Sequence, residues 1–461
     1  MSRRFRSRLV GVAIVSACGF TAVAPRGDGG DGTAPDDSRI IDSPPDVYIA
    51  PECLAAVKSC VGSGERLREC TGVGATPIDT ICAWRCTDDP APHCRKLQPA
   101  GGAVSSGDLE PTTGLADKTI MPTVSTVDFN TTTGSIVTDG VVTVRSGTAG
   151  IVNGIEFSVR NGVGVWRFNK LNLSGFNIRF TGANAAALVA VTEIEITGKI
   201  DLQGDCQIRK AGPGGGSGGD DGNDGSGSGN GSGGTGSDAD CNGGGGGGHA
   251  AAGGSGGGGT SGGTEFGTPT ILTLRGGGGG GGGGGNAGGD GGGGGGAIQI
   301  VANLKVRFNG SFTSVGGIQA GGCAGATGAA CGGGAGAGGT ILIEAAVIEV
   351  LDATFAVNGG GGGGGKNGTN GERARFSTSR ANGGAGGTGG SGDDGGDGGD
   401  GGDDNAFPGL PGSNATLAGG GGGAVGRIRF HTLSGTIMKQ GVIFSPPLPS
   451  TPVTEGSAIL Q

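Results

Sequence analysis

Between residues 120 and 440 the chain contains short segments in which apolar and polar residues alternate, and these segments predict β-strands. Two examples are GIEFSVRNGVGVWRFNKLNLSGFNIRFTG at 154–182 and LVAVTEIEITGKIDLQG at 188–204. A period of two in β-branched and aromatic residues places one face of each strand in an apolar core. No segment of helical period lies between them, which excludes an α/β sheet and leaves a sandwich, a barrel or a solenoid.

Internal repetition favours the solenoid among these three folds. AIQIVANLKVRFNGSFTSVGG at 297–317 aligns without gaps with TILIEAAVIEVLDATFAVNGG at 340–360, although the strand phase slips near Lys305. A third copy lies at 188–204 and a degenerate fourth at 426–438. Each unit predicts one coil of a parallel β-solenoid, which buries its apolar face only when neighbouring coils stack on it. The first two copies match Ile298 with Ile341, Ile300 with Ile343, Ala302 with Ala345, Phe312 with Phe355, and Gly316 and Gly317 with Gly359 and Gly360.

Glycine, at 118 of 461 residues, is concentrated in tracts that interrupt these units. Insertions into a solenoid collect on one face, so the tracts predict a layer of loops. In GGDGGDGGDD at 395–404 aspartate recurs every third residue, which fits an extended threefold helix. Two interpretations stay open: such helices packed side by side, or disordered loops, since ordering glycine is entropically costly. The tracts span about 211–263, 275–296, 316–339, 358–403 and 412–424.

The N-terminal segment MSRRFRSRLVGVAIVSAC has the form of a secretory signal peptide, with arginines before the short apolar stretch 9–17. Its last four residues, VSAC, resemble the lipobox of bacterial lipoproteins, in which the cysteine is lipidated. We therefore expect a signal peptide over 1–18 and a lipidated Cys18 that anchors the chain at the outer membrane or cell surface. The alternative is cleavage after Ala24 and secretion. Residues 19–50, rich in Gly, Asp, Pro and Ser, predict a disordered tether.

Ten cysteines follow Cys18, and even numbers in local groups of an exported chain predict disulfides. Six lie at 51–97, in a module too short to bury a stabilising core without cross-links. Short helices are expected there at 52–60 and 78–86, and the pairing stays open. The candidates are Cys53, Cys60, Cys70, Cys82, Cys86, Cys94, Cys206, Cys241, Cys323 and Cys331.

The four later cysteines predict two short staples within the glycine tracts. The expected staples are Cys206 with Cys241, and Cys323 with Cys331. Outside the repeats, residues 98–119 are expected to be a linker and 441–461 a C-terminal tail.

The segments VWRFNKLNLSGFNIRFTGANAAALVAVTEIEITGKIDLQG and GGTILIEAAVIEVLDATFAVNGGGGG resemble glycine-rich exported β-solenoid proteins of myxobacterium-like bacteria. More distantly, they resemble the right-handed β-helices of pectate lyase and filamentous haemagglutinin. The likeness spans about 120–440 and rests on rhythm rather than on an invariant motif. It implies an all-β, right-handed parallel β-helix with glycine-rich insertions, preceded by the disulfide module, and it implies nothing about activity.

Net charge and sequence motifs limit the partners and cofactors that the chain is expected to bind. The chain has 31 Lys and Arg against 40 Asp and Glu, a formal net charge of -9, which disfavours nucleic acid as a partner. The in-phase Asp397, Asp400 and Asp403 are candidates for calcium, although the tract lacks the large apolar residues of a calcium-binding β-roll. No other cofactor is expected.

A basic patch among the glycine tracts, GERARFSTSR at 371–380, is the candidate binding segment. Arg373, Arg375 and Arg380 are suited to grip an anionic glycan, and the alternative is a solvated loop. The three histidines, at 93, 249 and 431, show no spacing typical of a catalytic triad.

These features predict a non-enzymatic, exported and lipid-anchored surface protein of structural or adhesive type, which presents glycine-rich loops to glycans or other surface proteins. One alternative is a carbohydrate-active β-helix enzyme of lyase or hydrolase type, and a second is a calcium-binding surface protein. A groove lined by paired carboxylates and a base would favour the enzyme.

Overall fold

The computed structural model describes residues 53–122, 126–207, 209–310, 316–388 and 394–461. The predicted signal peptide with Cys18, and the predicted tether, lie outside the described residues. Within the described residues, no helix has the length and apolar character needed to cross a membrane.

The six-cysteine module is built of short antiparallel strands rather than helices. The helices expected at 52–60 and 78–86 are wrong, because apolar residues there such as Leu54 and Ile78 are exposed and form no buried helical face. Three disulfides hold the module instead: Cys53–Cys70, Cys60–Cys86 and Cys82–Cys94. The strands are β1 (Lys58–Val61), β2 (Arg66–Glu69), β3 (Ile78–Ile81), β4 (Cys86–Thr87) and β5 (His93–Cys94).

Antiparallel hairpins lie before the repeats, in a region for which the sequence predicted parallel coils from residue 120 onward. Asp117–Ile120 and Thr126–Asn130 nevertheless pair in parallel with Lys170–Thr181. A 3-10 helix, Ser106–Leu109, lies in the predicted linker. The turns Asn153–Gly154 and Asn161–Gly162 have positive φ at both residues, as a type I′ hairpin turn requires. The strands are β6 (Asp117–Ile120), β7 (Thr126–Asn130), β8 (Ile136–Thr138), β9 (Val142–Arg145), β10 (Gly150–Val152), β11 (Ile155–Arg160) and β12 (Val163–Phe168).

Most of the remaining strands lie in or next to the repeats and pair in parallel, whereas the short antiparallel pair Gly236–Ser237 and Asp240–Cys241 lies in a glycine tract. The predicted C-terminal tail contributes two strands, Ile443–Ser445 and Val453–Ser457, that extend the sheets. The strands are β13 (Lys170–Thr181), β14 (Ala185–Ala190), β15 (Glu193–Asp201), β16 (Gly236–Ser237), β17 (Asp240–Cys241), β18 (Ala297–Ala302), β19 (Lys305–Asn309), β20 (Gly316–Gln319), β21 (Thr340–Glu344), β22 (Val347–Leu351), β23 (Ala353–Ala356), β24 (Arg427–Thr432), β25 (Met438–Gln440), β26 (Ile443–Ser445) and β27 (Val453–Ser457).

Two large mixed sheets organise these strands. The first has the order β10-β11-β12-β14-β18-β21-β24-β27, and its pairs from β12 onward are parallel. The second has the order β25-β22-β19-β15-β13-β7-β8-β9, and β20, β23 and β26 continue from β15 along a side path. The parallel series β14-β18-β21-β24 and β15-β19-β22 join strands of successive repeat units.

The register of the first strand in each unit is confirmed. Ile298 pairs with Ile341 and Ile300 with Ile343, and Ile428 of the fourth copy pairs with Ile341 in turn. This strand therefore keeps the same apolar positions facing inward through successive units.

Later in the unit the ungapped alignment is wrong. The slip near Lys305 is real, because this residue pairs with Val347 and the offset between copies shortens by one residue. In the last strand of the unit a larger shift occurs, because Ile318, rather than Phe312, pairs with Phe355. Phe312 itself lies outside the described residues. The shift arises because Asp352 alone joins β22 to β23, whereas 310–315 joins β19 to β20. Gly316, expected opposite Gly359, pairs with Ala353 for the same reason.

The main core lies between the two large sheets. It unites inward residues of the first sheet, such as Ile300 and Phe430, with those of the second, such as Ile196 and Phe308. A second apolar cluster covers the outer face of the first sheet. It combines Trp84 and other residues of the module and linker with sheet residues such as Leu342. The cysteine module and the linker therefore act as a cover for one sheet.

The glycine tracts are ordered and hydrogen-bonded to one another. In the buried tract 276–284, every third backbone N–H donates to the same neighbouring tract. The N–H groups of residues 277, 280 and 283 donate to tract 289–295, and those of 278, 281 and 284 donate to tract 242–248. The N–H groups of residues 279 and 282 donate to tract 223–226. These N···O distances are 2.8–3.2 Å. A period of three is that of an extended threefold helix, so the described tracts are a packed bundle rather than disordered loops.

Only glycine permits this spacing. A Cβ built on Gly280 would overlap the carbonyl oxygen of Gly334 on a neighbouring tract. Close backbone approach is what lets buried N–H and C=O groups pair across tracts without side chains.

Two disulfides cross-link the bundle, and they differ from the expected staples. Cys206 pairs with Cys323, and Cys241 pairs with Cys331. The expected pairs, chosen for nearness in sequence, are wrong because spatial neighbours in the bundle belong to distant tracts. Each bridge closes a loop of 117 or 90 residues. Loops of about 100 residues correspond to roughly 4–5 kcal/mol in the chain-entropy model.

We predict that Gly280→Ala lowers the free energy of unfolding by about 1–3 kcal/mol, because the added methyl group must displace a backbone carbonyl. Chemical unfolding followed by circular dichroism measures the change. Gly72→Ala is the control, since a Cβ there meets nothing within 4 Å. Equal stability of the two variants would contradict a close-packed bundle.

Candidate functional site

The floor of the candidate site is the outward face of β13, β15 and β20. In the strand register, Arg179 lies opposite Asp201, and Asp201 lies opposite Gln319. The residues one position earlier on each strand, such as Ile200, are buried in the core. Because side chains alternate along a strand, these polar residues point away from the core. Lys199, two positions before Asp201, lies on the same face.

The loop 371–380 forms one wall of the site and is held against the floor. The carbonyl oxygen of Ala374 accepts hydrogen bonds from Nε2 of Gln203 and from Nε2 of Gln319, both at 3.0 Å. The Ala374 N–H donates to the carbonyl of Gly322 at 3.0 Å. Farther along, the Asn358 side chain donates to the Ser377 carbonyl at 2.8 Å. The wall is therefore fixed by specific hydrogen bonds.

Two adjoining clefts lie between this loop and the segment after β15. Their volumes are about 490 Å³ and 340 Å³, and both are lined by Asp201, Gln203 and Arg373. Cys206 lines the larger cleft, so the Cys206–Cys323 disulfide ties its rim to the bundle. We call the two clefts together the polar groove.

The carboxylates of the polar groove already have partners. Asp201 accepts a hydrogen bond from the Gln203 N–H at 3.0 Å, and its other oxygen lies 3.5 Å from Nζ of Lys199. Asp205 accepts from the Gln207 N–H at 3.2 Å. Both carboxylates thus stabilise the local turn in which they lie.

The cations of the groove differ in how they are held. Nζ of Lys199 lies 5.1 Å from the centre of the Phe376 ring, and Arg375 forms two 2.7 Å hydrogen bonds to Glu372. Among the described residues, neither Arg373 nor Lys210 has an ion-pair or side-chain hydrogen-bond partner. Two positive groups of the groove are therefore free for a ligand.

The predicted glycan-contact arginines are only partly brought together. Arg373 and Arg375 line the groove. Arg380 does not, because it pairs with Asp403 at 3.1 Å and Asp400 at 3.7 Å and ties the loop to a glycine tract. Sequence reasoning missed Lys199, Asp201, Gln203, Lys210 and Gln319. The outward positions of Lys199, Asp201 and Gln319 in strands offered a signal, whereas Gln203 and Lys210 lie outside the strands.

The predicted calcium candidates make contacts within the bundle and with the loop 371–380. Asp397 and Asp400 each accept a backbone N–H, from Gly386 at 2.7 Å and from Gly383 at 2.9 Å. The third candidate, Asp403, pairs with Arg380. The in-phase aspartates therefore bind a neighbouring tract and the loop.

A different acidic group brings its oxygens within 4.8 Å of one another in the described part of the chain: Asp220, Asp221 and Asp290. The Arg209 guanidinium lies 3.0 Å from Asp220 and 3.5 Å from Asp290. Its hydrogen bond lowers the pKa of Asp220, whereas burial raises the pKa of Asp221 and Asp290. The Arg209 side chain therefore supplies a positive charge beside these carboxylates.

The histidines lie away from the polar groove. Nδ1 of His93 donates to the Ala91 carbonyl, and Nδ1 of His431 donates to the buried carboxylate of Glu344 at 2.8 Å. Glu344 also accepts from the backbone N–H of Ala100, so this buried network fastens the linker to the first sheet.

In comparisons with protein-family models, curated proteins and solved structures, nothing matches this chain. The function is therefore argued from the groove and its scaffold.

His249 is buried between glycine tracts and remains neutral at pH 7. Its Nδ1–H donates to the Gly338 carbonyl at 2.7 Å, and its ring stacks on Phe266 with centres 4.5 Å apart. Burial lowers the pKa of His249 to about 4 from an ordinary 6.5, and the nearby charge of Arg427 acts in the same direction.

We predict that this histidine makes the folded state less stable as the pH falls from about 6.5 to 4. The unfolded chain binds the proton throughout this range and the folded chain resists it, which amounts to about 3 kcal/mol at the lower end. Urea unfolding of wild type and His249→Asn, whose amide also donates, measures the difference. His93→Asn is the control, and parallel pH profiles for wild type and His249→Asn would contradict the prediction.

Proposed function

We propose that this chain is a non-enzymatic surface protein of structural or adhesive type that binds an anionic glycan in the polar groove. The observation that carries the proposal is the pair of unpartnered cations, Arg373 and Lys210, at a groove whose carboxylates are already engaged. Hydrogen-bonding side chains such as Gln203 and Asn177 also line the groove, as a hydroxyl-rich ligand requires.

A rigid scaffold supports binding without large rearrangement. The floor is formed by paired strands, and the loop 371–380 is held by Gln203, Gln319 and Asn358. A preformed polar surface loses little conformational entropy on binding an extended polymer. The glycine-rich bundle would then act as support for the groove, and not itself as the presented face.

We further infer that the parallel strands are successive coils of a right-handed β-helix. Units such as β14–β15, β18–β20 and β21–β23 each contribute one strand to the first sheet and the following strands to the second. The parallel pairing of each unit with the next supports this inference.

Export and lipid anchoring belong to the same proposal. The ten cysteines from Cys53 to Cys331 form five disulfides, which are typical of oxidising compartments outside the cytosol. A lipidated Cys18 would hold the folded part near a membrane surface.

A carbohydrate-active enzyme is the second candidate, since Asp201 and Asp205 line the same groove. Their hydrogen bonds to the turn N–H groups favour a structural role for both carboxylates. Turnover of a bound glycan would decide for the enzyme.

The first prediction concerns the ligand. We expect the purified protein to bind acidic oligosaccharides, with oligogalacturonates, alginate oligomers and dextran sulfate as probes. Arg373→Gln and Lys210→Gln should each weaken binding about tenfold, as loss of one charge-assisted contact implies. Arg66→Gln, which removes an exposed charge from the module, should not. Calorimetry measures affinity, and chromatography of the recovered glycan detects cleavage.

Two outcomes would contradict this assignment. Equal losses for all three variants would mean that general charge, rather than the groove, attracts the glycan. Appearance of shortened products would favour the enzyme.

The second prediction concerns anchoring. Mass spectrometry of the protein from its native cells should find a diacylglyceryl group on an N-terminal Cys18. An N-terminus at Pro25, produced by cleavage after Ala24, would refute lipid anchoring and favour secretion.

A further inference from the structure

A β-bulge exposes the ring of Phe176 beside the polar groove. Gly175 of β13 pairs with Gly198 of β15, and Asn177 pairs with Lys199, so Phe176 is an extra residue with no partner in β15. Phe176 is 64% exposed. The strand therefore directs a large apolar side chain into solvent immediately next to Asn177, which lines the groove.

The bulge is built into the backbone. Gly198 has a φ of 112°, and a Cβ there would overlap the carbonyl oxygen of Gly175. A side chain is thus excluded opposite the bulge, and glycine at 198 is what permits this irregular pairing. Bulges of this kind commonly re-aim one side chain beside a functional site.

Other aromatic rings at the groove are not open in this way. Phe180 is buried in the core, although it borders the larger cleft. Phe376 is partly buried, and Nζ of Lys199 lies over its ring. Among the described aromatic residues beside the groove, Phe176 is therefore the one whose ring is mostly exposed.

We propose that Phe176 is a stacking platform for one sugar ring of the glycan, and this inference rests on the proposed function. The apolar face of a pyranose ring packs on an aromatic face, while the acidic groups of neighbouring sugars reach the cations of the groove. Continuity with Asn177 and Lys199 favours a glycan over a separate protein partner as the occupant.

Calorimetry with a galacturonate hexamer and with maltohexaose tests the platform. Phe176→Ala should weaken hexamer binding about tenfold, and Phe176→Tyr, which keeps the ring, should bind within about twofold of wild type. Leu272→Ala is the matched control, since Leu272 is also exposed, at 63%, and does not line the groove. Circular dichroism verifies that each variant is folded.

The outcomes separate the two proposals. Unchanged binding by Phe176→Ala, in a protein whose wild type binds the hexamer, overturns the platform and leaves the proposed function in place. Binding of maltohexaose with a loss in Phe176→Ala keeps the platform and refutes selectivity for acidic glycans. Failure of wild type to bind either sugar overturns both. Self-association that only Phe176→Ala abolishes, measured by analytical ultracentrifugation, would assign the ring to a protein contact instead.

Discussion

The structure depends on the pairing of backbone N–H and C=O groups between glycine tracts. Ordering a residue costs on the order of 1–2 kcal/mol, and glycine has no side chain whose burial could offset that cost. The hydrogen bonds between tracts offset this cost, because successive backbone N–H groups in a tract such as 276–284 donate to three different neighbouring tracts. Close approach makes this geometry possible, and it forbids a Cβ at positions such as Gly280.

The bundle and the sheets form a continuous hydrogen-bonded structure. The N–H of Thr340, the first residue of β21, donates to Gly296 in one tract, and the N–H of Arg427, the first residue of β24, donates to Gly339 in another. The loop 371–380 extends from a tract, and Arg380 holds it there through Asp403. The groove wall is therefore positioned by the bundle, and disorder in the tracts would remove one side of the site.

The sequence predicted the parts of this fold that depend on local periodicity. Alternation and repetition predicted the register of Ile298 with Ile341, and the three-residue period of 395–404 predicted an extended helix as one of two interpretations. The Asn–Gly pairs at 153 and 161 are typical of two-residue hairpin turns, so these hairpins are also encoded in the local sequence. The groove could not be predicted, because Gln203 and Ala374 meet across 171 residues through the packing of intervening tracts.

The small polar residues that interrupt the tracts follow from the same constraint. A tract at the edge of the bundle has N–H groups with no neighbouring carbonyl, and a short side chain can supply the missing acceptor. Asp397 and Asp400 do so for Gly386 and Gly383, and Asn370 accepts from the Thr327 N–H at 2.8 Å. These three side chains thus complete the hydrogen bonding of the tracts. In the groove, Asp201 and Asp205 likewise accept backbone N–H groups, whereas Arg373 and Lys210 have no ion-pair or side-chain hydrogen-bond partner among the described residues. The unpaired charges of the groove are therefore positive, in a chain whose net charge is -9.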